Sequence, residues 1–278
     1  MVDERFTAPS QEGAIELAQL LQQSDPSSTV EIIFQPPDTF IVHRFSPGVG
    51  QPAGPAAPVV VPPGGPTPPT PTPAPGGFAE RLRAVASAQW DFFGQQTYDL
   101  NGIASRVGHK EGEDGFFQRV GEYWVEGTNT HGVDGRNHGM PWSAAFISWS
   151  MKQAGAANRF RYSTQHSVYI FQAIRDRLSA RPAAGYWAYR LNEQTPNIGD
   201  VVCWARETGV DYDNQKNGDY KGHCDIVVEK ADGQIFVIGG NVGNSVTKRP
   251  LRLAQNGFVA PVVEGGEVLF ALMQNRIA

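Results

Sequence analysis

The sequence predicts an α+β fold in which helices precede an antiparallel β-sheet. Three observations support this prediction. Apolar residues recur with a helical period between residues 78 and 179, and after Pro196 they occur in short β-branched runs separated by turn residues. The composition also changes sharply at residue 47, which separates the globular part of the chain from the segments before it.

The chain of 278 residues divides into three predicted parts. Residues 1–46 hold one helix pattern, SQEGAIELAQLLQQ, and two strand patterns, TVEIIF and TFIVHRF. Such a small segment cannot build a stable core, so we expect it to dock onto another copy, a partner or a carrier. Residues 47–77 are rich in Pro, Gly, Ala, Val and Thr and uncharged, which predicts an extended spacer. Residues 78–278 have the composition of a globular domain.

Four helices and five strands are predicted within residues 78–278. The helices are FAERLRAVASAQWDFFGQ, DGFFQRVGEYWVEG, SAAFISWSMKQAG, which ends at Gly155, and HSVYIFQAIRDRLS. The strands are GDVVCWAR, CDIVVEK, GQIFVIGG, SVTKRPLRL and EVLFALMQ. Between the second and third strands, Ala231-Asp232-Gly233-Gln234 predicts a hairpin turn.

Composition argues against several classes of function. The net charge of −5 disfavours binding to a phosphate backbone, so we expect no nucleic-acid partner. No run of about eighteen apolar residues predicts a membrane span. The first residues lack the pattern of a signal peptide, which predicts a protein that stays in the cytoplasm or is exported by another route.

Two cysteines, Cys203 and Cys224, are too few for a disulfide scaffold or a zinc site. We expect two half-buried thiols or, if their strands are neighbours, a single bridge. The histidines lack the spacing of a helical zinc site, and we expect neither a metal nor a cofactor. The segment THGVDGRNHG, which includes His138, is expected to be a loop beside the cleft that contacts substrate.

Ser143 follows Pro141 and Trp142 at the predicted start of the third helix. Unpaired N–H groups and the helix dipole favour negative charge there, as a nucleophile and an oxyanion require. A serine hydroxyl has little acidity of its own and needs a base within hydrogen-bond reach. The alternative role for Ser143 is an ordinary N-cap.

His223 is the candidate base, at the start of the strand CDIVVEK. With the hairpin turn at residues 231–234, His223 faces Asn241 or Val242 on the next strand. Asn241 is therefore the expected residue that orients the imidazole. Asp225 is the alternative, because it shares a strand face with His223.

Four segments in this order, PWSAAFISW, PNIGDVVCW, GHCDIVVEK and IFVIGGN, resemble the papain-like cell-wall amidases of the CHAP and NlpC type. The resemblance covers about residues 137–245, and it is closer to a bacterial family of unknown function with serine in the first motif. It implies a helix packed on a small antiparallel sheet, and hydrolysis of amide bonds in peptidoglycan peptides. Ser143 falls on the cysteine position of the family, His223 on the histidine and Asn241 on the third polar position.

The serine leaves two functions open. One is hydrolysis of an amide or ester by Ser143, His223 and Asn241, with Trp142, His138, His166 and Asp225 as substrate-binding or supporting residues. The other is a non-catalytic module that binds cell-wall material or another ligand in a degenerate cleft. The short N-terminal segment and the spacer also resemble the layout of a delivered effector or a phage-type lysin, in which residues 1–46 engage a carrier.

Overall fold

The computed structural model describes residues 2–8, 17, 29–35, 39–46, 76–264 and 267–278. Within this described part, residues 76–278 form four α-helices and a nine-stranded mixed sheet, and a separate three-stranded sheet lies near the N-terminus. The α+β prediction is therefore confirmed. The predicted N-terminal helix, apart from Leu17, and most of the predicted spacer lie outside the described residues.

The N-terminal sheet contains the two predicted strands, β2 (Thr29–Gln35) and β3 (Thr39–Ser46), and an additional strand, β1 (Val2–Ala8). Strand β3 is central and pairs antiparallel with both neighbours. Sequence reasoning missed β1 because its alternation of apolar and polar residues is broken by Glu4. Leu17 packs against the core of the large domain.

The four predicted helices are confirmed as α1 (Phe78–Phe92), α2 (Phe116–Thr128), α3 (Ser143–Gln153) and α4 (His166–Leu178). Helix α3 is buried on nearly every side, from Ser143 through Met151. The helix is followed by Gly155, whose φ of 87° is the left-handed conformation typical of the residue after a helix end. Burial on all sides fixes the position of the first turn of α3, which carries Ser143.

The nine-stranded sheet has the order β11-β12-β7-β8-β9-β10-β4-β5, and β6 also pairs with β12. The five predicted strands are present, and their bounds are β7 (Val201–Ala205), β8 (Gly222–Ala231), β9 (Gln234–Gly239), β10 (Thr247–Arg252) and β12 (Glu267–Asn275). Four further short strands are β4 (Gln96–Tyr98), β5 (Ala104–Arg106), β6 (Tyr186–Tyr189) and β11 (Val263–Glu264).

The expectation of a small, wholly antiparallel sheet is wrong in two respects. The sheet has nine strands in the described residues, and β10 pairs with β4 in parallel. Strand β4 follows helix α1 directly and reaches β10 across about 150 residues of sequence. A three-residue strand is too short to reveal a period of two, so its sequence gives little sign of this pairing.

The β8–β9 hairpin confirms the predicted turn. Ala231 pairs with Gln234, and Asp232 and Gly233 have φ values of 52° and 73°, the positive values that a type I′ turn requires. A bulge near Val228 shifts the register by one residue before Ile226 pairs with Ile238. The paired ladder ends near Gly239, short of Asn241.

Each face of the central strands carries its own core. Cys224, Ile226 and Val228 pack beneath the helices, whereas Trp204 and Val227 belong to a second cluster on the other face. Because side chains alternate along a strand, His223 and Asp225 point to the face that carries Trp204.

Cys203 and Cys224 lie directly opposite each other on β7 and β8, within the core beneath the helices. Their sulfur atoms are 3.2 Å apart, and both cysteines are free thiols. The expectation of half-buried thiols is wrong, because both side chains are completely buried.

Candidate functional site

Ser143 is the first residue of α3, and Trp142 is the helix N-cap. The first intrahelical bond runs from the N–H of Phe146 to the carbonyl of Trp142, so the earlier N–H groups of the helix have no partner within it. The alternative role of Ser143 as an N-cap is wrong, because its hydroxyl is bonded elsewhere.

The Ser143 hydroxyl is hydrogen-bonded to a histidine. Its Oγ lies 2.6 Å from Nε2 of His166, the first residue of α4. The first turns of two helices thus meet at this contact. Both residues are buried, with 3% of Ser143 and 5% of His166 exposed. This separation of hydroxyl and imidazole is the one that a nucleophile and its general base require.

The other ring nitrogen of His166, Nδ1, is hydrogen-bonded to the hydroxyl of Tyr169, one turn further along α4. Burial, followed by the nearby charges of His223 and Arg206, lowers the pKa of His166 well below its usual value, so the ring is neutral near pH 7. Two neutral tautomers satisfy the contacts. In one tautomer, Nδ1–H donates to the Tyr169 oxygen and Nε2 accepts from the Ser143 hydroxyl. In the other, Nε2–H donates to the Ser143 oxygen and Nδ1 accepts from the Tyr169 hydroxyl.

His223 belongs to a different hydrogen-bonded group. Its Nε2 lies 2.9 Å from Oδ1 of Asp225, and Oδ2 of Asp225 accepts from Arg249 at 2.7 Å and from Trp204 at 3.0 Å. Burial raises the pKa of the Asp225 carboxyl, but Arg249 and His223 outweigh it and hold that pKa below its usual value. Asp225 is thus a buried carboxylate that orients His223.

The two imidazoles are adjacent, with ring centroids 5.3 Å apart. Burial lowers the pKa of His223 more than Asp225 raises it. Nδ1 of His223 is buried and has no hydrogen-bond partner among the described atoms. The site therefore has one histidine bonded to Ser143 and a second bonded to a carboxylate.

The expected series of Ser143, His223 and Asn241 is not formed. Ser143 bonds to His166 instead, and His223 bonds to Asp225. Asp225, the alternative partner of His223, takes the place that was expected for Asn241. His166 was expected only as a supporting residue and lies in direct contact with the candidate nucleophile.

Asn241 lies beyond the end of β9 and adopts a left-handed conformation, with φ of 60°. This turn directs its amide toward the start of α3. When the amide is oriented so that both of its atoms find partners, the side-chain oxygen accepts the backbone N–H of Trp142 at 3.2 Å, and the side-chain nitrogen donates to Glu111 at 3.1 Å. Asn241 thus holds the residue before Ser143.

Glu111 was not identified from the sequence, yet it connects three of the expected residues. Its Oε2 accepts the indole N–H of Trp142 at 2.5 Å, and its Oε1 lies 3.5 Å from Nδ1 of His138. Trp142 is buried, whereas the His138 side chain is largely exposed. Glu111 therefore holds the Trp142 side chain at the start of α3, and His138 contacts Glu111 from the exposed side of the protein.

Two glycines allow β9 to approach these groups closely. A Cβ at Gly239 would lie 1.9 Å from Oδ1 of Asp225 and 3.1 Å from Nε2 of His223. A Cβ at Gly240 would lie 2.6 Å from Phe146 and 2.7 Å from Trp142. A side chain at either position would displace a member of the site.

Tyr169 was also missed, although its spacing from His166 is a usable signal. Residues three apart on a helix share a face, so a tyrosine at that distance can contact the histidine. Nothing in the sequence distinguishes this pair from the many such pairs that occur in helical cores.

No group of three or more His, Cys, Asp or Glu side chains in the described part of the chain is arranged to hold a metal ion. His138 contacts Glu111, and Asp134 in the same loop pairs with Arg136. Among the same residues, no helix has the length and apolar character needed to cross a membrane.

Comparison with known proteins gives one match. A family model described as "Uncharacterized protein conserved in bacteria (DUF2272)" matches residues 111–270, which is more than half of the chain. No curated protein and no solved structure matches. The matched range begins at Glu111 and contains both histidine groups and Ser143. The chain therefore belongs to the bacterial family DUF2272.

Proposed function

We propose that this protein is a hydrolase of peptide amide bonds in bacterial peptidoglycan, or of a related amide or ester, with Ser143 as nucleophile. The observation that supports this most directly is the 2.6 Å hydrogen bond between Ser143 Oγ and His166 Nε2 at the start of a buried helix. The cell-wall substrate rests on the resemblance of four ordered segments to papain-like amidases.

In the proposed reaction, Nε2 of neutral His166 accepts the proton of Ser143 as Oγ attacks the substrate carbonyl. N–H groups of the first turn of α3 stabilise the oxyanion. The imidazolium then returns its proton to the leaving group, and an acyl-enzyme forms. Water hydrolyses this ester in the same way, with His166 again as base, and regenerates Ser143.

Asp225 and His223 support this reaction from the neighbouring strand. Asp225 keeps His223 oriented, and the His223 ring packs beside His166. His223 and its free Nδ1 form the alternative base, which would require the Ser143 hydroxyl to leave His166. Glu111 and Asn241 hold the residue before the nucleophile in both cases.

The test is release of soluble fragments from purified peptidoglycan and of nitrophenol from small esters. Ser143→Ala removes the nucleophile, and we expect at least a 10²-fold loss of turnover. Ser148→Ala is the matched control, because Ser148 is a buried serine of the same helix whose hydroxyl bonds to the carbonyl of Ser163. Equal turnover by the wild type and Ser143→Ala would exclude the proposal.

A second candidate is a non-catalytic module that binds cell-wall fragments or another ligand. The observation that favours it is burial, since only 3% of Ser143 is exposed and His223 is fully buried. Calorimetry with soluble muropeptides tests it: this candidate requires binding by the wild type without turnover. A gain of hydrolysis in Ser143→Cys would indicate an intact cleft that lacks a working nucleophile, whereas no binding would count against the module.

For the whole chain we propose that residues 1–46 engage a carrier or partner protein. The sheet of β1–β3 supports this as a structured unit that a partner can recognise. A pull-down with the full chain and with a chain that lacks residues 1–46 tests it. Equal recovery of partners by both chains would contradict the proposal.

A further inference from the structure

The two cysteines form a pair of nucleophilic side chains that the proposed reaction does not use. Cys203 on β7 lies directly opposite Cys224 on β8, and the two sulfur atoms are 3.2 Å apart. Both side chains are completely buried, and both are free thiols. The fold therefore holds two reduced sulfur atoms against each other inside the core.

The backbone at this pair already suits a disulfide. Directly opposite residues of antiparallel strands have Cα atoms about 4.5–5.5 Å apart, which lies within the range of disulfides. The pairs on either side, Val202 with Asp225 and Trp204 with His223, keep the same register. A bridge needs a sulfur separation of about 2.0 Å, so small side-chain rotations are enough and neither strand has to shift.

The bridge would join two segments that are distant along the chain. Cys203 and Cys224 are 21 positions apart, and residues 206–221 connect β7 to β8. A covalent link across such a segment reduces the number of conformations that the unfolded chain can adopt. The folded protein is then stabilised relative to the unfolded chain.

The cysteines are the immediate neighbours of the hydrogen-bonded group around His223. Trp204 follows Cys203, and its indole N–H donates to Asp225 at 3.0 Å. His223 precedes Cys224, and its Nε2 lies 2.9 Å from the other carboxylate oxygen of Asp225. A bridge between the cysteines would therefore hold together the two strands that carry this group.

We propose that Cys203 and Cys224 are a modification site, at which a disulfide forms in an oxidising compartment and stabilises the β7–β8 pair. Such compartments are where protein disulfides form and persist. The inference stands on the register and the sulfur separation, and it does not depend on the proposed function.

The oxidation is a thiol–disulfide exchange with a small disulfide such as glutathione disulfide. One protein thiolate attacks the small disulfide, forms a mixed disulfide and releases one glutathione. The second protein thiolate then attacks the protein sulfur of the mixed disulfide and releases the other glutathione. Two protons and two electrons thus pass from the protein to the glutathione. Because both sulfurs are buried, the exchange takes place while the chain folds or while the strands are open.

The experiment refolds the full chain with glutathione disulfide or with dithiothreitol. Each sample is freed of small thiols, unfolded in urea and treated with iodoacetamide. Mass spectrometry then counts the alkylated cysteines, and we expect none after refolding with glutathione disulfide and both after dithiothreitol. Urea unfolding of the two folded samples measures the effect on stability, and we expect a midpoint about 1 M higher in the bridged protein.

Cys203→Ala is the matched control, because it cannot form the bridge and should show the same urea midpoint after either treatment. The wild type compared with itself needs no substitution, so the test does not depend on the stability of this variant. Two alkylated cysteines after refolding with glutathione disulfide, or a bridge that does not raise the midpoint, would overturn the inference even if the protein hydrolyses substrate. A stabilising bridge in a protein without hydrolytic activity would support the inference and count against the proposed function.

Discussion

The two histidines beside Ser143 occupy contrasting environments. His166 begins a helix and bonds to two neutral hydroxyls, those of Ser143 and Tyr169. His223 begins a strand and bonds to Asp225, which is itself paired with Arg249. The histidine with the carboxylate thus lacks the nucleophile, and the histidine with the nucleophile lacks a carboxylate. In the proposed reaction, His166 exchanges a proton with Ser143, and the His223 group maintains the local structure.

The largest expected effect is on catalysis by His166. His166→Gln removes the acceptor of the Ser143 proton, and we expect a loss of hydrolysis of about 10²- to 10⁴-fold, or roughly 3–5 kcal/mol of barrier. His223→Gln is the comparison, and steady-state kinetics on a small ester measures both. A greater loss in His223→Gln than in His166→Gln would reverse the assignment of the base.

The next effect is on stability at Asp225. Asp225→Asn removes a buried carboxylate that accepts from Arg249 and Trp204 and bonds to His223, and we expect a loss of about 3–5 kcal/mol in the free energy of unfolding. Asp213→Asn is the control, because Asp213 pairs with Arg190 at the exposed surface. That change should cost less than about 1 kcal/mol. Similar urea midpoints for the two variants would contradict the structural role of Asp225.

A change at Gly239 tests the same group without altering a charge. In Gly239→Ala the new methyl group collides with Asp225, and we expect a loss of about 1–3 kcal/mol from overpacking. Gly121→Ala, in the interior of α2, is the control because its Cβ would have no contact shorter than 3.4 Å. Thermal unfolding measures both, and an equally stable Gly239→Ala variant would show that β9 can move away from the site.

The smallest effect is on the pH dependence of stability. The pKa of His166 in the folded protein lies below the value of about 6.5 for an unfolded chain. The unfolded chain therefore binds its proton first, and stability falls as pH drops below about 6.5, by at most about 1.4 kcal/mol per pH unit for this histidine. Above about pH 6.5, the neutral His166 ring makes its full contribution to the free energy of unfolding.

Urea unfolding between about pH 7.5 and 5.5 measures this dependence. We expect a shallower decrease in His166→Gln than in the wild type. His131→Gln, which removes an exposed histidine, should keep the wild-type slope. Identical slopes in the wild type and His166→Gln would mean that the site admits a proton without destabilising the fold.

Prediction from the sequence succeeded where the signal is local. The helical period placed α1–α4, the Asp232-Gly233 turn placed the β8–β9 hairpin, and alternation put Asp225 on the same strand face as His223. The N-terminal position of Ser143 on α3 also followed from the sequence. Each of these features depends on residues a few positions apart.

Prediction from the sequence failed where a residue's hydrogen-bond or strand-pairing partner is distant in the sequence, or where the face of a strand decides which side chains meet. Extending the hairpin register placed Asn241 opposite His223, but the ladder ends earlier and the left-handed turn at Asn241 aims its amide at Trp142. The parallel pairing of β4 with β10 was missed for a related reason, since it joins segments about 150 residues apart.

The sequence by itself determined the four helices of the large domain, its five longer strands and the place of Ser143 at a helix start, because hydrogen bonding and hydrophobic period act over short distances. Only the tertiary structure decided which histidine meets Ser143. His166, at the start of α4, contacts the hydroxyl at the start of α3, while the pleat of β8 turns His223 toward Asp225 and Trp204. Side-chain direction on a packed sheet depends on which face the helices cover, and no short segment of sequence records that choice.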